Sequence, residues 1–306
     1  MTRIESFAAL RRQAGTFGPV RLAVAGGNHP GVIAALAAAV EAGLVSAAQV
    51  TGDGAAIRAA LPGPLRDAVR VIDAADAAAC AATAVGLVRD GQADILMKGH
   101  VDSTAYLRAI VDRQTGIRAG AVLSNVTLAE MPSYPKLIAA TDNGILPAPD
   151  LAQKRQIVLN TGPLFRALGI TPARVAALAA TEKVSDRLPA TTDAAALAAE
   201  GRAGGLPGFV IEGPFGYDVA VSREAARAKG LGDSQVAGDA DLLLFPTIDG
   251  ANAVVKAWKY HGRAETGSLV LGASVPVLLN SRSDSAERRL NALCMAMAAR
   301  GTAPPG

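Results

Sequence analysis

Four stretches of this chain, RLAVA, DILM, DLLLF and PVLL, are apolar without alternation. A strand with one face in water alternates apolar and polar side chains, whereas a strand buried on both faces does not. Burial on both faces belongs to parallel sheets covered by helices, so these runs restrict the chain to α/β architectures. Candidate strands lie at 20–25, 69–72, 94–97, 121–123, 136–140, 174–178, 209–211, 241–245, 268–271 and 276–279. Ala-rich helical stretches separate them at 30–42, 75–89, 103–111, 150–168, 193–199, 219–229, 251–260 and 284–299, with Asp150 and Asp284 as N-cap candidates. The segment 123–142 breaks this βα rhythm. Two apolar runs flank Met131-Pro132-Ser133-Tyr134-Pro135, the pattern of a β-hairpin or arm.

The chain has 306 residues, which suggests two domains. Its 50% hydrophobic and 19% charged residues exclude a disordered chain. Thirty basic against 27 acidic side chains leave a net charge of +3, with no basic block of the kind that nucleic-acid binders concentrate on one face. Cys80 and Cys294 form no CxxC pair, and His29, His100 and His261 show no metal-ligand spacing, so no metal site is expected. The first residues, MTRIESFAALRRQAG, lack the apolar core of a signal peptide, and the most apolar stretch, 32–45, is too short to span a bilayer. A cytoplasmic protein without membrane or nucleic-acid partners is expected.

Chemistry gathers where strands end. In open α/β sheets ligands bind outside the carboxyl ends of the strands. GGNHPG at 26–31 follows a strand but lacks the Lys-Ser/Thr of a phosphate-binding P-loop, and TGDGAAI at 51–57 lacks the third glycine of a dinucleotide fingerprint; both read as tight turns. MKGHVDSTAYLRAI at 97–110 is more informative. Lys98 opens the turn after a buried strand and Arg108 lies along the next helix, either as anion binders or as solvated surface cations. In SRSDSAERR at 281–289, Ser281 and Arg282 can donate to phosphate oxygens. Asp284 is an N-cap, a general base or an orienter of Arg282. In the segment 238–256, Asn252 and Lys256 share a helix face. EGPFGYD at 212–218 reads as a further strand-end loop. Four such loops carry anion donors or carboxylates with few aromatics, which suits small substrates bearing phosphate.

Taken together, LMKGHVDSTAYLRA (96–109), APDLAQKRQIVLN (148–160), TEKVSDRLPATTDAAAL (181–197), EGPFGYDVAVS (212–222), VAGDADLLLFP (236–246) and LNSRSDS (279–285) resemble the phosphate acetyl/butyryltransferase family, within it the phosphate butyryltransferase-like branch. The resemblance runs from about residue 20 to residue 298. It implies reversible transfer of a short acyl group between coenzyme A and inorganic phosphate, giving an acyl phosphate. Coenzyme A thioester and phosphate would be substrates, with no permanently bound cofactor. It also implies a two-domain fold of the isocitrate/isopropylmalate dehydrogenase type, with mostly parallel sheets, helices on both faces and an active-site cleft between domains. The expected domains are 1–119 with 272–306, and 120–271, in a homodimer or higher homo-oligomer.

Position by position, the resemblance places Ser281 and Arg282 at the reaction centre, Arg108 in substrate binding, and Asn252 and Lys256 on the family's GNxxxK, with Ala251 in place of its Gly. Arg288 stands where acetyltransferase members carry an acid, so the base is Asp284, the first choice, or Glu287, or else no protein group, with solvent or substrate phosphate taking the proton. His100 stands where Leu is common and receives no role. Two other classes compete. One is a non-catalytic acyl-CoA or phosphate-binding protein. The other is a dehydrogenase of the same broad fold, for which Asp239 and Asp241 on one strand face would have to hold a metal.

Overall fold

The computed structural model describes residues 2–120, 122–280 and 284–300. The chain forms two compact units, a first of Phe7–Ala121 with Gly267–Gly306 and a second of Met1–Ser6 with Val122–Thr266. The first unit opens with α1 (Phe7–Ala14), β1 (Val20–Ala25), α2 (Pro30–Glu41), β2 (Val45–Gly52), α3 (Gly54–Ala60), β3 (Val69–Asp73), α4 (Ala77–Arg89), β4 (Ile95–Lys98) and α5 (Ser103–Val111).

The second unit holds β5 (Ser124–Glu130), β6 (Ile138–Thr141), α6 (Leu151–Asn160), α7 (Gly162–Ala167), β7 (Ala173–Leu178), α8 (Pro189–Arg202), β8 (Phe209–Phe215), α9 (Tyr217–Val221), α10 (Arg223–Ala228), β9 (Leu242–Leu244) and α11 (Ile248–Tyr260). Its strands run in the order β5-β6-β9-β7-β8. β5 and β6 form the antiparallel hairpin that the 123–142 pattern anticipates, and the other neighbours are parallel. The chain then follows β10 (Glu265–Leu271) back into the first unit and ends with β11 (Val277–Leu278) and α12 (Ala286–Arg300). The first unit's order is β3-β2-β1-β4-β11-β10, parallel except at β10–β11.

The unbroken apolar runs are buried as their pattern requires. Leu22 to Ala25 of β1, all of β4 and all of β9 are buried. Each such Leu or Val contributes about 1.5–3 kcal/mol relative to exposure. Asp150 caps α6 in a full capping box with Gln153.

Several local expectations fail for identifiable reasons. β2 escapes the apolar pattern because Ser46, Gln49 and Thr51 interrupt the short side chains of VSAAQVTG, and only part of it is buried. The first strand of the hairpin, β5, begins at Ser124 rather than 121, since the buried Ser124, Asn125 and Thr127 hide an apolar signal. The stretch 150–168 is two helices, broken where Pro163 takes a first-turn position in α7. Ser222 splits 219–229 by capping α10 through Ala225 N at 3.2 Å. EGPF lies inside β8 rather than in a loop. Among the described residues, no helix is long and apolar enough to cross a membrane.

Candidate functional site

In the first unit the carboxyl ends of β1 and β4 are laced together. Gly99 N donates to Ala25 O at 2.9 Å and His100 N to Gly26 O at 2.7 Å. Gly26 has φ +84°, which L side chains rarely adopt. A Cβ on Gly99 would stand 2.0 Å from Gly26 O, so only glycine permits this approach. The turn GGNHPG therefore brings His29 beside the KGH turn, where the imidazoles of His29 and His100 stack with centroids 5.1 Å apart and planes at 22°. His29 is also the N-cap of α2, its Nδ1 accepting from Gly31 N at 3.1 Å. While that bond holds, the ring proton sits on Nε2, a donor.

Lys98 ends β4 and is 5% exposed. It lines a hollow of about 60 Å³ with His29, Gly99, His100, Asn280 and Arg289. Asn280 follows β11, is 6% exposed, and its side-chain Nδ2 is buried without a hydrogen-bond partner among the described residues. Beside the same GGNHPG turn lies a larger apolar groove of about 600 Å³, with Ile33 and Ala37 of α2 and Ile57 and Ala60 of α3 among its walls. Asp102 caps α5 by accepting from Ala105 N at 2.8 Å. Arg108, in the last turn of α5, is exposed.

Ser281 and Arg282, the expected reaction centre, lie outside the described residues. Asp284 is not the N-cap that the sequence suggests. α12 begins at Ala286, and Ser285 Oγ accepts from Arg288 N at 3.3 Å, so the hydroxyl next to the helix takes the capping role. Glu287, the alternative carboxylate, is exposed and accepts from Arg11 Nη2 at 3.0 Å.

The second unit positions its own polar groups at strand ends. After β6, Asp142 Oδ1 accepts from Gly144 N at 2.8 Å and Ile145 N at 2.9 Å, and Oδ2 from Leu146 N at 3.2 Å. Burial pushes this carboxyl above its ordinary range, and the backbone donors only partly offset it. Asn143 Oδ1 accepts from Asn125 Nδ2 at 2.7 Å and Thr127 Oγ1 at 3.2 Å, and its carbonyl accepts from Asn252 Nδ2 at 3.1 Å. Asn252 is thereby fixed on α11, with exposed Lys256 one turn on. Sequence reasoning missed Asp142 and Asn143, whose DNG reads as ordinary turn punctuation.

Asp239 and Asp241 do not await a metal. Asp241, 1% exposed, accepts from Lys136 Nζ at 2.6 Å, Arg3 Nη2 at 2.6 Å and Arg174 N at 2.9 Å. Asp239 meets Lys136 at 2.8 Å, Arg223 at 2.8 Å and Arg174. The cations that a metal would have to displace are already in place. No cluster of three or more His, Cys, Asp or Glu able to hold a metal occurs among the described residues.

The sequence pattern of the family described as phosphate acetyl/butaryl transferase matches residues 63–298. The chain is 38% identical to a probable phosphate butyryltransferase of Bacillus subtilis over 231 residues, 76% of this chain and 77% of the relative. A solved branched-chain phosphotransacylase from Enterococcus faecalis superposes with a TM-score of 0.81 at 29% identity, covering 92% of this chain and 99% of that one. A 4-hydroxythreonine-4-phosphate dehydrogenase from Klebsiella pneumoniae shares the fold alone, with a TM-score of 0.54 at 13% identity over 92% of this chain and all of that one (100%).

Proposed function

The chain belongs to the phosphate acetyl/butyryltransferase family, and on that premise we propose that it moves a short acyl group reversibly between coenzyme A and inorganic phosphate, forming an acyl phosphate. The observation that carries this reading is the pairing, around one strand-end turn, of a small hollow lined by Lys98 and Arg289 with a larger apolar groove. The first suits a phosphoryl group and the second the uncharged arm of a thioester. Both lie at carboxyl ends of parallel strands, where α/β sheets bind ligands.

In the direction that forms acyl-CoA, the coenzyme A thiol loses its proton and the thiolate attacks the acyl carbonyl. The C–S bond forms, the tetrahedral oxyanion collapses, and phosphate leaves with the electron pair of the C–O bond. Ser281 and Arg282 are assigned to the oxyanion, a role worth about 3 kcal/mol per well-placed donor. Asp284 is assigned to the thiol proton. Lys98, Arg108, Asn252 and Lys256 are assigned to binding substrate. A protein thiol has no part in this scheme: Cys80 and Cys294 are buried in α4 and α12, and burial pushes the Cys294 thiol up to about 11. The proposal extends to a protein that works with substrates only, in the cytoplasm, as a homodimer or larger homo-oligomer.

The test is release of free thiol from acetyl-, propionyl- and butyryl-CoA with and without phosphate. Phosphate-dependent release is expected from at least one of the three. Binding without turnover would favour a non-catalytic carrier and overturn the reading.

A further inference from the structure

We propose that the hollow lined by Lys98, Asn280 and the stacked His29–His100 pair seats the tetrahedral phosphoryl group of inorganic phosphate, with the Asn280 side-chain amide as a donor to its oxygens. The inference rests on the acyl-transfer reading above and adds the seat of one substrate to it.

The first observation is the orphaned amide. Buried polar atoms in folded proteins nearly always find a partner, because desolvating a donor without replacing its hydrogen bond is costly. Asn280 is 94% buried by its 6% exposure, yet its Nδ2 meets no acceptor among the described residues. It lines the hollow, so an acceptor arriving there would satisfy it. The second observation is charge. Lys98 and Arg289 line the same hollow, and among the described residues no carboxylate does. Lysine and arginine offer only N–H donors, and His29, with Nδ1 engaged by Gly31 N, keeps its proton on Nε2. Such a set of donors suits a group whose oxygens chiefly accept.

Size gives a third constraint. At roughly 15 Å³ of such space per water-sized atom, a hollow of about 60 Å³ has room for the four oxygens of one phosphate. It is too small for a nucleotide. Its position is a fourth constraint. Lys98 ends β4 and Asn280 follows β11, and these strands are parallel neighbours. Asn280 also immediately precedes Ser281 in the sequence, the residue assigned above to the oxyanion.

A phosphoryl group can come from inorganic phosphate or from the phosphates of coenzyme A, and the experiment separates them. Asn280→Leu removes the amide at similar size, and Asn280→Asp sets a carboxylate against the anion. Full-length parent and variants are titrated calorimetrically with inorganic phosphate, and KM is measured separately for phosphate and for acyl-CoA. Both variants should weaken phosphate binding and raise its KM roughly tenfold to a hundredfold, the effect of one lost charge-assisted hydrogen bond. The KM of acyl-CoA should hold within about twofold. Asn280→Leu should melt at or above the parental temperature, since it buries no unsatisfied amide; a merely structural Asn280 would lower the melting temperature and leave the ratio of the two KM values alone. Folded variants that keep the parental phosphate affinity and KM overturn the proposal, as does a rise confined to acyl-CoA. If the parent binds phosphate through Asn280 yet turns over no thioester, the seat stands and the acyl-transfer reading falls.

Discussion

Replacing Asp241 with alanine removes the anion against which Lys136 and Arg3 are packed. Lys136 is 9% exposed and its Nζ reaches Asp241 Oδ1 at 2.6 Å and the Asp239 carbonyl and carboxylate at 2.8 Å each. Breaking one member out of a buried pair typically costs about 3–5 kcal/mol, because the remaining charge stays desolvated. Asp239 still faces Lys136, so the lower end, about 3 kcal/mol, applies to the charge. The orphaned Arg174 N adds about 1 kcal/mol. At roughly 2–4 °C per kcal/mol for a unit of this size, the second unit should melt some 8–16 °C lower. The assay is thermal melting of Asp241→Ala, Lys136→Met and the double variant. Deleting both charges should be less harmful than the sum of the single losses, by about 2 kcal/mol, since the double variant leaves no stranded ammonium at this pair. A single variant melting within about 2 °C of the parent, or strictly additive losses, would refute the claim that these aspartates are core ion-pair anchors. A metal site at the same aspartates predicts instead a parent whose melting temperature falls on adding a chelator, and no such fall is expected.

Arg108→Ala should raise the KM of one substrate more than it lowers kcat, with little change in melting, because Arg108 is exposed and lacks an ion pair or hydrogen bond to a described residue; a pure loss of kcat would contradict a binding role. Burial alone would raise the Asp94 carboxyl, but the side-chain and backbone donors of Arg21 and the charge of Arg300 outweigh it and hold the group below its usual value. Its contribution is therefore complete above the unfolded value of about 4 and fades as pH falls through the lower folded value. Between pH 5 and about pH 3, the melting temperature of Asp94→Asn should fall less steeply than the parent's, and parallel curves would refute this. Neither buried thiol should react with a disulfide reagent at about pH 8 in the native protein, and both should react after unfolding, so thiol release by coenzyme A can be read without background.

Much of the architecture is written locally. The unbroken runs that became β1, β4 and β9 could be buried only between two layers of helix, and the Pro-rich break at 132–135 could make only a hairpin or an arm. Asp150 announces α6 because a capping aspartate and a glutamine three residues on act within one turn of chain. The family motifs are equally local, and the sequence determined the reaction class through them. Errors arose where the local signal was weak or shared. β2 mixes small apolar residues with Ser46, Gln49 and Thr51, and Asp284 and Ser285 are both competent caps, so the choice fell to the hydroxyl adjoining the first turn.

The tertiary structure decided which distant residues meet and which polar groups lose water. Nothing in the spacing of Asp239 and Asp241 tells that Arg3, Lys136, Arg174 and Arg223 converge on them. His29 and His100 read as isolated histidines until the β1–β4 pairing stacks them, and Asn280 reads as a polar residue after a strand until β11 buries its amide beside Lys98. Backbone propensity and apolar periodicity act over a few residues, so the sequence displays them directly. Desolvation and charge pairing depend on neighbours far off in the chain, 105 positions for Lys136 and Asp241 and 238 for Arg3 and Asp241, and only the assembled sheet supplies those neighbours.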